Sequence, residues 1–182
     1  MHHHPSSQHD AGFDSAVLGG GLPAEVEGLI KQAGLVRGDR AQAEPLLQKA
    51  RELAPSHPAT LIAMYRFHFY GHRLKEARLV AQESLSIARS ALGPDININD
   101  EQARFDAATR FYLFALKAFA YLSLRLGDTD TARNTLADLR QLDPQDRVGG
   151  GVLTHVLARA EALDLSDDDF SAPIAHRGWS TP

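Results

Sequence analysis

The stretch Leu113 to Asp146, LFALKAFAYLSLRLGDTDTARNTLADLRQLDPQD, decides the fold. Phe119, Ala120 and Ser123 recur at helical spacing, and Gly127-Asp128 then breaks the pattern. Ala132, Leu136 and Leu139 form a second apolar stripe, which Pro144 stops. The expectation is two antiparallel helices joined by a tight turn, with the small side chain of Ala132 at their closest approach.

The same landmarks occur earlier in the chain. Gly38 to Gly127, Ala43 to Ala132 and Pro55 to Pro144 are each 89 residues apart, and Leu47 and Ala50 stand where Leu136 and Leu139 do. Ala24 to Arg37 supplies the first helix of that early pair, opened by Pro23. Pro45 falls inside its second helix and is expected to bend or delay it. Pro58, 34 residues after Ala24, opens another unit, and Ala77 lies 34 residues after Ala43. Its turn carries Gly71-His72 where the other units have Gly-Asp, so a slightly different geometry is expected. Leu92 to Tyr112 are 21 extra residues. Asp100 and Glu101 make an acidic helix start, and no breaker follows before Leu126. The insert is therefore expected to lengthen the third unit's first helix to about 40 Å at about 1.5 Å per residue. That helix is apolar around most of its circumference and is expected to be packed on both sides. Arg147 to Leu163 reads as an end helix.

These offsets resemble the tetratricopeptide repeat, whose helix pairs recur at about 34 residues. The aromatic residue that begins that family's motif is replaced by Glu27, Leu61 and Leu116. The resemblance implies an all-α fold, with antiparallel helix pairs stacked as a short right-handed α-solenoid and closed by a C-terminal capping helix. The repeat domain would span 23–163, with units 24–57, 58–91 and 113–146, the insert 92–112 and the end helix 147–163. A His/Ser/Gly-rich arm, 1–22, and an acidic tail, 164–182, would be disordered. The resemblance further implies that the first helices line a concave groove, which binds a peptide or protein segment without chemistry.

Composition narrows the function. A formal net charge of −4 argues against bulk binding to nucleic acid. The absence of cysteine removes thiolate catalysis and cysteine-held clusters. Phe111 to Leu126, the most apolar run, is interrupted by Lys117 and Arg125 and is too short to span a bilayer. With no secretory signal in the first twenty residues, the expected location is the cytoplasm. His2, His3 and His4 are either a shortened purification tag or native.

On the second unit's first helix, Leu61, Met64, Tyr65 and His68 share one face, while Ile62, Arg66, Phe69, Tyr70 and Arg73 share another. The resemblance places that second face in the groove, with Phe114, Lys117, Tyr121, Leu124 and Arg125 of the third unit opposite. Aromatic walls and cationic points suit an acidic or hydrophobic segment of a partner protein. Residues 58–91 carry five basic side chains (Arg66, Arg73, Lys75, Arg78, Arg89) against Glu76 and Glu83, a net of +3. The competing reading packs these aromatics against the insert or the end helix. The family's terminal-carboxylate clamp uses Lys and Asn. Arg66 and Tyr121 occupy the Asn positions, so that specificity does not carry over.

His68 and His72, four apart, lack the Glu of a zinc-protease motif, because Phe69 stands there, and no third ligand is evident. Gly149-Gly150-Gly151 before a helix lacks the ending of a phosphate loop. The reading is thus a non-enzymatic adaptor, with no catalytic residue, metal or cofactor, no nucleic-acid partner and no membrane partner. A self-associating structural repeat protein is the alternative, and a metal enzyme at His68 and His72 the third reading.

Overall fold

The computed structural model of the chain describes residues 15–18, 20–94 and 96–169. Most of the expected N-terminal arm and the last thirteen residues of the expected tail lie outside the described residues. Among the described residues, beyond the helical turn at 15–17, eight helices run in order: α1 Ala24–Leu35, α2 Arg40–Leu53, α3 Pro58–Tyr70, α4 Leu74–Leu92, α5 Asp100–Phe105, α6 Ala107–Arg125, α7 Thr129–Leu142 and α8 Gly151–Asp169. No strand occurs among the described residues. Each helix packs on its neighbours in sequence, except that α4 skips the short α5 to lie along α6. The pairs α1–α2, α3–α4 and α6–α7 therefore stack as an α-solenoid, and α8 closes it against α7 and α6. No helix among the described residues is long and apolar enough to cross a membrane.

The turns explain why the pairs form. At the end of α6, Gly127 lies in the left-handed region at φ 79°. Its N–H donates to the Leu124 carbonyl at 3.1 Å, and the Asp128 N–H donates to the Ser123 carbonyl at 2.9 Å. These two bonds are a Schellman motif, which satisfies carbonyls that a helix end leaves orphaned. Asp128 then caps α7 by accepting from the Thr131 N–H. The α3–α4 turn has the same geometry rather than a different one. His72 takes the left-handed position at φ 57°, with its N–H on the Phe69 carbonyl and the Arg73 N–H on the His68 carbonyl. The α1–α2 turn departs from both. Gly38 is not left-handed, and the Asp39 N–H instead reaches the Val36 carbonyl at 2.8 Å. Asp39 still caps α2 through the Gln42 N–H.

A left-handed conformation costs an ordinary side chain about 1–2 kcal/mol. Gly127→Val should therefore destabilise the chain by about that amount, while His72→Gly should raise stability by a smaller one. A Cβ at Gly127 meets nothing within 4 Å, so strain and not a clash is responsible. Urea unfolding of the two variants checks the opposed signs.

Pro45 lies within α2 without delaying its start at Arg40. The bond it forfeits would have gone to the carbonyl of exposed Ala41, which water can serve. The expected single helix from Asp100 to Leu126 does not form. Asp106 leaves the helical region at ψ 118° and caps a new helix, accepting from the N–H groups of Ala108 and Thr109 and from the Thr109 hydroxyl. The insert thus becomes a loop and the short α5, while α6 is a separate helix of 19 residues, about 28 Å long. The end helix also differs from expectation. It starts at Gly151 rather than Arg147 and continues past Leu163 to Asp169.

Two buried clusters hold the centre. Tyr112, Leu113, Leu116 and Ala120 of α6 meet Leu136 and Leu139 of α7 and Leu153 and Leu157 of α8. Leu122, also on α6, meets Ala77 and Ala81 of α4. Ala43, Ala77 and Ala132, at equivalent places in the three units, are all fully buried. Ion pairs tie one unit to the next: Glu44 to Arg73 at 2.7 Å, Arg51 to Glu83, and Arg78 to Asp128 at 2.9 Å.

Candidate functional site

The first helices of the second and third units, α3 and α6, both pack on α4. Toward their C-terminal ends they meet. Tyr65 and Phe69 stack with centroids 5.6 Å apart, and Phe69 tilts against Tyr121 at 5.9 Å. Toward their N-terminal ends they part around an apolar cavity of about 420 Å³. Leu61, Ile62 and Tyr65 form one wall, and Phe111, Phe114 and Ala118 the other. Ala81 and Ser84 of α4 line it too, together with Phe105 and Arg110. Val17 and Leu18, from the helical turn at residues 15–17 and the residue after it, complete the lining. That turn is fastened by Gly20, whose carbonyl lies 3.0 Å from Nε2 of His57. His57 Nδ1 meanwhile accepts from the Ala59 N–H as the cap of α3.

The electrostatics are one-sided. Helix α3 carries Arg66, and α6 carries Arg110, Lys117 and Arg125, yet neither helix contains a single Asp or Glu. In a chain of net charge −4, the two helices that frame the groove carry only basic ionised side chains. Burial, followed by the neighbouring Tyr121 and Tyr70, raises the Tyr65 hydroxyl above its ordinary value, so it remains a neutral polar group.

Aligned over 131 residues, the chain is 34% identical to the uncharacterized 19.8 kDa protein in the nifW 5′ region of Azotobacter chroococcum mcd 1. The alignment covers 65% of this chain and 71% of that protein. The chain belongs to that protein's family. No family model matches the chain, and no solved structure does.

The structure brings most of the sequence-expected groove residues onto this surface. Ile62 and Phe114 line the cavity and are 40% and 49% exposed. Phe69, Tyr70 and Tyr121 form the aromatic run beyond it, with Tyr70 edge-on to Phe69 and 70% exposed. Arg66 and Arg125 are exposed. Arg125 lies over the Tyr121 ring and donates to its hydroxyl at 2.7 Å. Leu124 is half-buried against the α6–α7–α8 core. Two residues go elsewhere. Arg73 pairs with Glu44 of α2 and sits over the Phe67 ring, and Lys117 donates to the Val148 carbonyl at 2.6 Å. Spacing along the repeat missed Arg110, Phe105, Val17 and Leu18, because all four come from segments outside the repeat units 24–57, 58–91 and 113–146.

The remaining candidates take structural places. His68 is buried in α3, where desolvation, then the charge of Arg73, lowers its pKa and keeps it neutral. His72 is in the left-handed turn. Among the described residues no group of three His, Cys, Asp or Glu is placed to hold a metal. Before α8, the Asp146 carboxylate accepts from the Gly151 N–H at 3.0 Å, so a carboxylate already stands where an anion would bind. A Cβ on Gly150 would lie 2.6 Å from Cδ2 of Leu139, so any larger residue there must displace that buried side chain.

Proposed function

We propose that the chain is a tetratricopeptide-type adaptor that grips a segment of a partner protein and performs no chemistry itself. The observation that carries this reading is the open groove between α3 and α6, an apolar cavity and aromatic run framed by helices with basic but no acidic side chains. An amphipathic segment fits it, with apolar side chains filling the cavity and carboxylates meeting Arg66, Arg110 and Arg125. The relative's place in the nifW 5′ region makes the nifW product the first candidate partner to test.

Arg66→Glu combined with Arg125→Glu tests this reading. Both side chains are exposed, so the fold should lose under about 0.5 kcal/mol per change. Capture of an acidic partner from the source cell should disappear. Capture by the wild type should weaken with added salt, because screening shortens the reach of exposed charges to about 8 Å at physiological ionic strength. Capture that survives the double reversal at unchanged melting temperature would refute the groove as the binding surface.

A further inference from the structure

The cavity between α3 and α6 is already touched by the chain's own N-terminal turn. Val17 and Leu18 belong to its lining, yet they precede the helix stack in sequence. Val17 packs against the central core. Leu18 lines the cavity and is still 80% exposed, which places it at the open rim.

Hydrogen bonds hold this strap in place. Within it, the Gly20 N–H donates to the Ser15 carbonyl at 2.7 Å and closes the turn. Between strap and stack the link is His57. Its Nδ1 accepts from the Ala59 N–H, so the proton of the neutral ring sits on Nε2, 3.0 Å from the Gly20 carbonyl. One imidazole thus caps α3 with one nitrogen and donates to the strap with the other. Neither the turns within the helix pairs nor the ion pairs between units involve the strap, so it can leave without undoing the stack.

The strap offers aliphatic contact without charge. Residues 15–18, 20 and 21 include no ionisable side chain, so they bring no carboxylate to Arg66, Arg110 or Arg125 around the groove. A segment that carries both aliphatic side chains and carboxylates therefore holds an advantage over it.

We propose that the strap of residues 15–18, fastened through Gly20 to His57, is an intramolecular competitor for the apolar cavity, and that an acidic, aliphatic segment of a partner protein binds by displacing it. This rests on the groove being the binding surface. Tethering gives the strap an effective concentration in the millimolar range, so a small contact suffices to keep it seated. A strap seated for about nine-tenths of the time weakens the apparent affinity of any competitor about tenfold. Ligands that match only the apolar part of the groove are thereby disfavoured.

Two full-chain variants release the strap by different routes. Val17→Ser with Leu18→Ser removes its apolar contact. His57→Asn keeps a residue that caps helices well, but its side chain is too short to reach Gly20 while capping. Each should bind a labelled peptide of leucines and aspartates about tenfold more tightly than the wild type does. Helical circular dichroism checks the fold of each, and if one fails to fold the other decides. Because the protein has no cysteine, Ser15→Cys carries a unique nitroxide label. Its spectrum should become more mobile when the peptide is added, and also in the His57→Asn background without peptide. Ile62→Asp with Phe114→Asp should abolish peptide binding. Unchanged affinity in either folded release variant, or a label that the peptide leaves as immobile as before, overturns the strap as competitor and leaves the groove reading standing. Weaker affinity overturns it too, since the strap is then a wall that the ligand needs. Peptide binding by none of the chains, or binding that survives the Ile62 and Phe114 changes, overturns the groove reading itself, and the proposal with it.

Discussion

Leu113→Ala should cost the chain about 3–5 kcal/mol of unfolding free energy, the upper part of the range for a buried leucine. Leu113 is completely buried, and its cluster draws on α6, α7 and α8 together. The cost of such a truncation depends on whether the surroundings can collapse into the space left. Here they are held from several sides, because α6 packs on α4, α7 and α8 at once. Contraction around the missing methyl groups would have to move helices that are fixed by other contacts, so most of the cavity should persist. In urea the midpoint should fall sharply while the slope stays unchanged, since the surface exposed on unfolding is the same. A loss below about 1 kcal/mol would mean that α6 is not the centre of the stack.

Ala132→Leu should also be harmful, although it adds apolar surface. Ala132 is fully buried in the first half of α7, and the equivalent positions Ala43 and Ala77 are equally inaccessible. A leucine there must push α7 away from α6 or adopt a poor rotamer, at about 1–3 kcal/mol. Displacing α7 would also disturb Arg78–Asp128, which joins this unit to the one before. The variant should melt below wild type while keeping its helical content. Melting at or above wild type would show that the closest approach of the two helices lies elsewhere.

Much of this architecture was legible in the sequence, because glycine, alanine and proline each do one thing in a helix pair. Gly127 opens a left-handed turn, Ala132 admits a neighbouring backbone, and Pro144 forbids continuation. His72 was harder to read, since a histidine in the left-handed region looks like any other polar residue until its hydrogen bonds are seen. Asp106 was misread for a related reason. No Gly or Pro marks a break between Asp100 and Leu126, yet the Asp106 carboxylate accepts from the N–H groups of Ala108 and Thr109 and so starts a new helix.

The groove was legible to the extent that helical periodicity held. Ile62, Phe69, Tyr70, Phe114 and Tyr121 keep their face. Arg73 does not, because α3 ends at Tyr70 and the left-handed His72 takes the chain out of register before Arg73 is reached. For Lys117 the face matters less than the length of the side chain, which reaches a carbonyl of the loop before α8. No local pattern reports that this loop folds over α6. The cavity's outer lining was invisible for the same reason, since Phe105 and Val17 belong to no repeat.

The break at Asp106 has a consequence for how such proteins diversify. Because α6 starts afresh there, the chain between Gly93 and Phe105 is a detour whose length is uncoupled from the spacing of the helix pairs. Doubling a flexible detour costs only about 0.6 kcal/mol in closure entropy. Its length can therefore change without altering the register of the helix pairs, provided the contacts of Ile96 and Ile98 with the central core are kept. Since Phe105 forms part of the cavity, each such change would recut the lock while leaving the door in its frame.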